Sequence, residues 1–119
     1  MLITEQIAQF LNGHGIYAVT NFMPPEPSRM ACVYASDLRT PSDPEGARVQ
    51  VIFRGERADN LGLLDAAKAA AYLDGFQGLL CADGSYVINI DIESGPAAMG
   101  ADNNNRCEFS LNLRVWTCD

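Results

Sequence analysis

The fold is decided by residues 49–73, VQVIFRGERADNLGLLDAAKAAAYL, which predict a strand that runs directly into an amphipathic helix. The first six residues alternate between two faces, as side chains on a strand do. Gly55 breaks the strand, and the side chain of Asp59 or Asn60 caps the helix by accepting an early backbone N–H. We therefore expect the helix to pack back onto the sheet that contains the strand.

The predicted helix has apolar side chains at helical spacing, and alanines among them allow a close approach to a sheet. This stripe consists of Leu63, Ala66, Ala67, Ala70 and Leu73. Asp65 and Lys68, three residues apart, are expected on the outer side of the helix.

Further elements are predicted from hydropathy periodicity and from breaks at glycine and proline. They are a helix over residues 3–12 and strands over residues 16–19, 30–35, 86–93 and 107–116. The last two strands alternate most regularly, with apolar faces formed by Tyr86, Ile88, Ile90 and Ile92 and by Cys107, Phe109, Leu111, Leu113 and Val115. Because these strands are adjacent in sequence and matched in period, they are expected to pair antiparallel.

The predicted order of elements is therefore α-β-β-β-α-β-β. Two helices with apolar stripes and a mixed, mostly antiparallel sheet indicate a two-layer α+β fold with both helices on one face of the sheet. No internal repeat or change of composition divides the 119 residues, so residues 1–119 are expected to form a single domain.

The charge of the chain limits its partners. The formal net charge is −7, from 15 acidic and 8 basic residues, and Lys68 is the only lysine. Because phosphate contacts need clustered basic residues, specific nucleic-acid binding is not expected. No stretch approaches the ~20 apolar residues of a membrane span. The N-terminus lacks the features of a secretory signal, so a cytoplasmic protein is expected.

The sequence contains no arrangement typical of an active site. Asp91 and Glu93 share one strand face, but no histidine, phosphate-binding loop or third ligand accompanies them, which favours a solvated face. His14, the only histidine, is expected to be solvated at a helix end. The four cysteines form no C-x-x-C pair, which favours free thiols. We predict no catalytic residue, no cofactor site and no metal site.

Four stretches give the chain a resemblance to a known family. They are LNGHGI at residues 11–16, FMPPEPSRMACVY at 22–34, VQVIFRGER with the helix that follows at 49–73, and RCEFSLNLRVW at 106–116. In this order they resemble the small tail-terminator proteins of long-tailed bacteriophages, which are often labelled minor capsid proteins. The resemblance covers essentially the full chain and includes no catalytic motif.

The resemblance implies a structural protein with no enzymatic activity. Six copies would form a ring that caps the tail tube, stops its growth and joins it to the head–tail connector. The implied partners are other copies of the chain, the tail-tube protein and the connector protein. The chain would reside in the tail or neck of the virion after assembly in the host cytoplasm. DNA would pass through an acidic lumen that does not retain it.

Two long polar connections, residues 36–47 and 94–105, lie where ring proteins of this kind commonly contact other subunits and the tube. Trp116, on the polar side of the last strand, is a further candidate because tryptophan is enriched at interface hot spots. The candidate interface residues are Asp37, Arg39, Asp43, Glu45, Met99, Asp102, Asn104 and Trp116.

Three alternatives stay open at this point. Another phage neck or head-completion protein would differ from a terminator in gene order. A small-ligand-binding α+β domain would reveal itself by a bound metabolite. An enzyme that uses Asp91 and Glu93 would show metal-dependent or pH-dependent turnover.

Overall fold

The computed structural model describes residues 3–37, 46–78 and 86–118. Within these ranges lie seven elements: α1 (Ile3–Gly13), β1 (Ala18–Thr20), β2 (Met30–Asp37), β3 (Ala47–Arg54), α2 (Leu61–Leu73), β4 (Tyr86–Ala101) and β5 (Cys107–Cys118). Their order is the predicted one. No helix in these ranges is long and apolar enough to cross a membrane.

The five strands form one mixed sheet in the order β1-β2-β3-β5-β4. β1 is parallel to β2, and the other neighbouring pairs are antiparallel, including the predicted pair of β4 and β5. A single hydrophobic core joins both helices to one face of the sheet. The fold is therefore the predicted two-layer α+β arrangement, with Val51, Phe53 and Leu111 fully buried between the layers.

Helix α2 packs on the sheet through a stripe that differs from the predicted one. Its buried residues are Gly62, Asp65, Ala66, Ala69 and Leu73. The prediction was wrong for Leu63 and Ala67, which are exposed. Gly62 explains the difference, because a Cβ at this position would lie 2.9 Å from the Phe53 carbonyl oxygen. Only a glycine allows the start of the helix to approach the sheet this closely.

Asp65 lies on the buried side of α2, so its predicted outer position is also wrong. The residue is 7% exposed, and its two carboxylate oxygens accept hydrogen bonds from Arg29 Nε at 2.9 Å and Nη2 at 2.8 Å. This bidentate pair raises the pKa of Arg29. A carboxylate is tolerated on a buried stripe when it is paired in this way, and the pair fastens the residue before β2 to α2.

Strand β4 is longer and less regular than predicted. It continues to Ala101, so the predicted loop at residues 94–105 is wrong, and only five residues turn the chain into β5. The register of β4 against β5 shifts at four places. The first shift follows Val87, which is buried together with Ile90, whereas Ile88 is 46% exposed. A bulge reverses the alternation of side chains, and this places Ile88 outside the core face.

The free edge of β1 is closed by a side chain. Asn12, in the last turn of α1, donates a hydrogen bond to the carbonyl oxygen of Ala18 at 2.9 Å and accepts one from its N–H at 3.1 Å. These are the backbone groups that an added strand would need. Asn12 therefore blocks extension of the sheet beyond β1.

The outer edge of β4 is closed in a different way. The N–H groups of Gly75 and Gly78 donate to the carbonyl oxygens of Ile90 and Val87 at 2.7 and 2.9 Å. Further along the strand, register shifts and Pro96 interrupt the regular spacing of backbone groups. Bulges and proline are common means of protecting a sheet edge, so β4 also disfavours strand addition.

Two buried arginines hold the proline-rich connection between β1 and β2. Arg54, which is 3% exposed, donates hydrogen bonds of 2.7–2.8 Å to the carbonyl oxygens of Pro24, Pro27 and Ser28. Arg106 donates from Nη1 to the carbonyl oxygen of Pro25 at 2.6 Å. Burial and the nearby charge of Arg106 lower the pKa of Arg54. The connection is thus a docked part of the domain, which we name the clamped loop (residues 21–28).

Candidate assembly surfaces

The interface residues predicted from the sequence do not form one surface. Three of them lie outside the described residues: Arg39, Asp43 and Glu45. Asp37 and Trp116 lie at the end of the sheet where β3 begins, whereas Met99, Asp102 and Asn104 lie at the end where β4 turns into β5. The eight residues of β3 separate these ends by roughly 26 Å. The two groups would therefore serve different contacts.

Asp102 stabilises the turn between β4 and β5. Its Oδ2 accepts a hydrogen bond from Arg106 Nε at 2.8 Å, and its Oδ1 accepts the backbone N–H groups of Asn104 and Arg106 at 2.9 Å. These bonds lower the pKa of Asp102, the backbone N–H of Arg106 contributing most. Met99, 50% exposed, and Asn104 remain accessible. Of the three predicted residues at this end, only these two present side chains for a contact.

Trp116 borders a cleft of about 250 Å³, which we name the Trp116 cleft. The cleft is lined by Asp74, Asp91, Ile92, Glu93, Arg114 and Trp116. Trp116 is half-buried and lies close to the backbone of Gly46, where a Cβ would approach the indole to 3.1 Å. The guanidinium carbon of Arg114 is 6.0 Å from the centre of the indole ring. The indole therefore forms a wall of the cleft.

The two carboxylates of β4 are engaged in surface contacts. Glu93 lies 2.9 Å from Arg114 Nε and 3.7 Å from Arg48 Nε, although the Arg114 N–H is not aligned for a hydrogen bond. Asp91 accepts a hydrogen bond from Asn89 at 3.1 Å. Among the described residues, no group of three or more His, Cys, Asp or Glu side chains could hold a metal ion. Glu93 is thus paired with arginines, and Asp91 is hydrogen-bonded to an amide on its own strand.

His14 and the described cysteines are packed side chains. The imidazole of His14 stacks on Tyr72 at 4.3 Å and contacts Phe10 edge-on at 4.4 Å between ring centres. His14 directly follows α1, as predicted, but its side chain is partly buried and not fully solvated. Cys32 and Cys107 are free thiols, and burial raises the pKa of Cys32. Because the thiolate is the reactive form of cysteine, this shift makes Cys32 a poor nucleophile.

The most unusual surface is on α2. Five of its six exposed side chains, which we name the outer face of α2, are Leu63, Leu64, Ala67, Lys68 and Ala71; the sixth, Tyr72, stacks on His14. Leu64 is 59% exposed and Leu63 is 37% exposed. The helix is therefore apolar on its exposed side as well as on its buried side. A helix that is apolar all round is usually buried on all sides, and exposed apolar patches mark interaction sites.

Comparison with known proteins adds no assignment. No protein-family model matches the sequence, and no curated protein matches it at a significant level.

Sequence reasoning missed the outer face of α2, although a signal for it exists. Among the 13 residues of the helix, only Asp65 and Lys68 are charged. An amphipathic surface helix has a polar face opposite its apolar stripe, and this helix has too few polar residues to form one.

Proposed function

We propose that this chain is a structural subunit of a long-tailed bacteriophage and acts as a tail terminator. Six copies form a ring on the last ring of the tail tube, stop the growth of the tube and present a surface to the head–tail connector. The chain belongs to the tail or neck of the virion after assembly in the host cytoplasm. It acts by docking and carries out no reaction.

The observation that carries the proposal is the outer face of α2. An exposed helix face with two leucines suits a protein that completes its fold by binding other subunits. The charged side chains described above are used in ion pairs and in turns, as Glu93 and Asp102 are. This use of charge suits an assembly protein better than an enzyme, because catalytic groups need a shared cleft and matched geometry.

Three of the four stretches that resemble tail terminators lie side by side in the fold. FMPPEPSRMACVY spans most of the clamped loop and part of β2, VQVIFRGER falls in and after β3, and RCEFSLNLRVW covers most of β5. These strands are neighbours in the sheet order β2-β3-β5. Much of the resemblance therefore falls on neighbouring strands of one sheet, while LNGHGI lies at the end of α1 and the segment after it.

Deletion of the gene from its phage tests the proposal. We expect over-long tails without heads, and we expect cryo-electron microscopy of wild-type particles to place six copies at the head-proximal end of the tube. Tails of normal length that fail to join heads would instead assign the chain to neck or head completion. A metabolite retained in native mass spectrometry, with normal phage from the deletion, would favour a small-ligand-binding domain.

A further inference from the structure

The outer face of α2 needs a partner, and the fold limits what kind of contact it makes. Strand addition is disfavoured at both edges of the sheet. The side chain of Asn12 is hydrogen-bonded to the backbone of Ala18 at one edge, and the N–H of Gly75 is hydrogen-bonded to the carbonyl oxygen of Ile90 at the other. Association therefore depends on side-chain surfaces. Among the described large apolar side chains that are exposed, Leu63 and Leu64 are adjacent in sequence and share one helix face with two alanines.

The charge on the outer face of α2 differs in sign from that of the rest of the protein. Its single charged residue is Lys68, the only lysine in a chain with net charge −7. The one acidic residue of the helix, Asp65, is buried and neutralised by Arg29. The outer face therefore combines apolar surface with one positive charge, and it is complementary to an acidic surface that contains an aromatic or apolar contact.

Another copy of the same chain offers such a surface. The Trp116 cleft contains the carboxylates of Asp74, Asp91 and Glu93, of which Glu93 is paired with Arg114 and Arg48, and an indole forms one wall. A lysine ammonium at this position gains both carboxylate contacts and the face of a tryptophan ring. Two outer faces placed against each other would instead bring two Lys68 side chains together, which disfavours a symmetric contact between α2 helices.

We propose that the outer face of α2 docks on the Trp116 cleft of a second copy, with Lys68 entering the cleft. The two surfaces are different parts of the domain: the cleft is lined by Arg114 and Trp116, which alternate with the core residues Leu113 and Val115 and so face away from the helices, and by Asp74, which directly follows α2. The contact is thus head-to-tail, the type that closes into a ring when the rotation between copies allows it. This inference rests on the proposed function for its biological setting and gives the subunit contact of the ring.

Sedimentation velocity over a concentration series tests the contact in solution. We expect the wild-type chain to self-associate at high concentration and more weakly in high salt, which screens the lysine–carboxylate attraction. Leu64→Glu and Lys68→Glu should each weaken association at least tenfold without lowering the melting temperature, since both side chains are exposed. Tyr17→Glu, an equivalent change at 50% exposure just before β1, is the matched control and should associate as the wild type does.

A mixing experiment tests the head-to-tail geometry. Lys68→Ala leaves the cleft intact, and Asp91→Lys leaves the outer face of α2 intact; the two changed surfaces cannot pair with each other, so each variant alone should associate more weakly than the wild type. An equimolar mixture has one functional contact and should form a dimer and nothing larger. The proposal is overturned if the wild type stays monomeric up to millimolar concentration, if the α2 variants associate normally, or if the mixture forms no dimer.

The solution test is independent of the role in phage. If the chain associates through α2 in solution but deletion of its gene leaves the tails normal, the tail-terminator role is refuted and the contact is retained. Conversely, Leu64→Glu and Lys68→Glu variants that restore normal tails to the deletion phage would refute the contact and keep the role.

Discussion

Replacing Arg54 by methionine tests whether the clamped loop contributes to stability. Methionine keeps much of the side-chain volume and removes the charge and the three hydrogen bonds to Pro24, Pro27 and Ser28. A hydrogen bond to a charged group contributes about 1.5–3 kcal/mol. Part of this is recovered, because the loop carbonyls regain water and the buried charge no longer has to be desolvated. We therefore expect a loss of about 2–4 kcal/mol in the free energy of unfolding.

For a domain of this size, such a loss corresponds to a decrease of roughly 8–16 °C in melting temperature. Differential scanning calorimetry measures it, and hydrogen exchange should show faster exchange in and beside residues 21–28. Arg57→Met is the control, since this exposed arginine follows β3 within three residues and should change the free energy by less than about 0.5 kcal/mol. If Arg54→Met has the same melting temperature as the control, the contacts of Arg54 do not stabilise the domain.

Three further predictions concern packing and protonation. Ala66→Leu should lower the free energy of unfolding by about 1–3 kcal/mol by overpacking against the sheet. Ala67→Leu, on the outer face of α2, should leave the melting temperature unchanged, and equal effects of the two changes would contradict the observed orientation of the helix. Because the pKa of Asp102 is lowered in the folded protein, the ionised carboxylate stabilises the fold above the ordinary pKa of an aspartate, and this stabilisation is lost on acidification through the pKa in the folded state. Asp102→Asn should therefore flatten the pH dependence of the melting temperature below about pH 4. Burial raises the pKa of Tyr34 to about 12, so the free energy of unfolding should fall as the pH rises from about 10. Ultraviolet titration should find one tyrosine that ionises late, and four tyrosines titrating together near pH 10 would contradict the raised pKa.

The sequence predicts the architecture because its periodic segments are unambiguous. The alternation at residues 49–54 and along β5 correctly places Val51, Phe53 and Leu111 in the core. These strands are central in the sheet, so both their edges are paired with neighbouring strands, and the register between them is regular. Element order and fold class follow from such segments alone.

The errors arise where a tertiary contact overrides the local pattern. The bulge after Val87 shifts the alternation at the start of β4, so that Val87 is buried in place of Ile88, and no residue type marks it in the sequence. Asp65 looks like a surface residue because its partner, Arg29, is 36 positions away. Asp102 looks like a contact residue in the sequence, because its role in the turn depends on the side chain of Arg106. Each case required knowledge of a neighbour that periodicity cannot provide.

The clamped loop also has a consequence for the order in which the protein folds. Arg106 and Pro25 are 81 residues apart in sequence, and Arg54 and Pro24 are 30 apart. Contacts between distant residues form late, because the entropy of closing a long loop must be lost first. The connection between β1 and β2 therefore cannot be fully held until β5 has joined the sheet. During synthesis, the clamped loop in the N-terminal half is therefore fully fixed only after β5, the last strand of the chain, has been made and has joined the sheet.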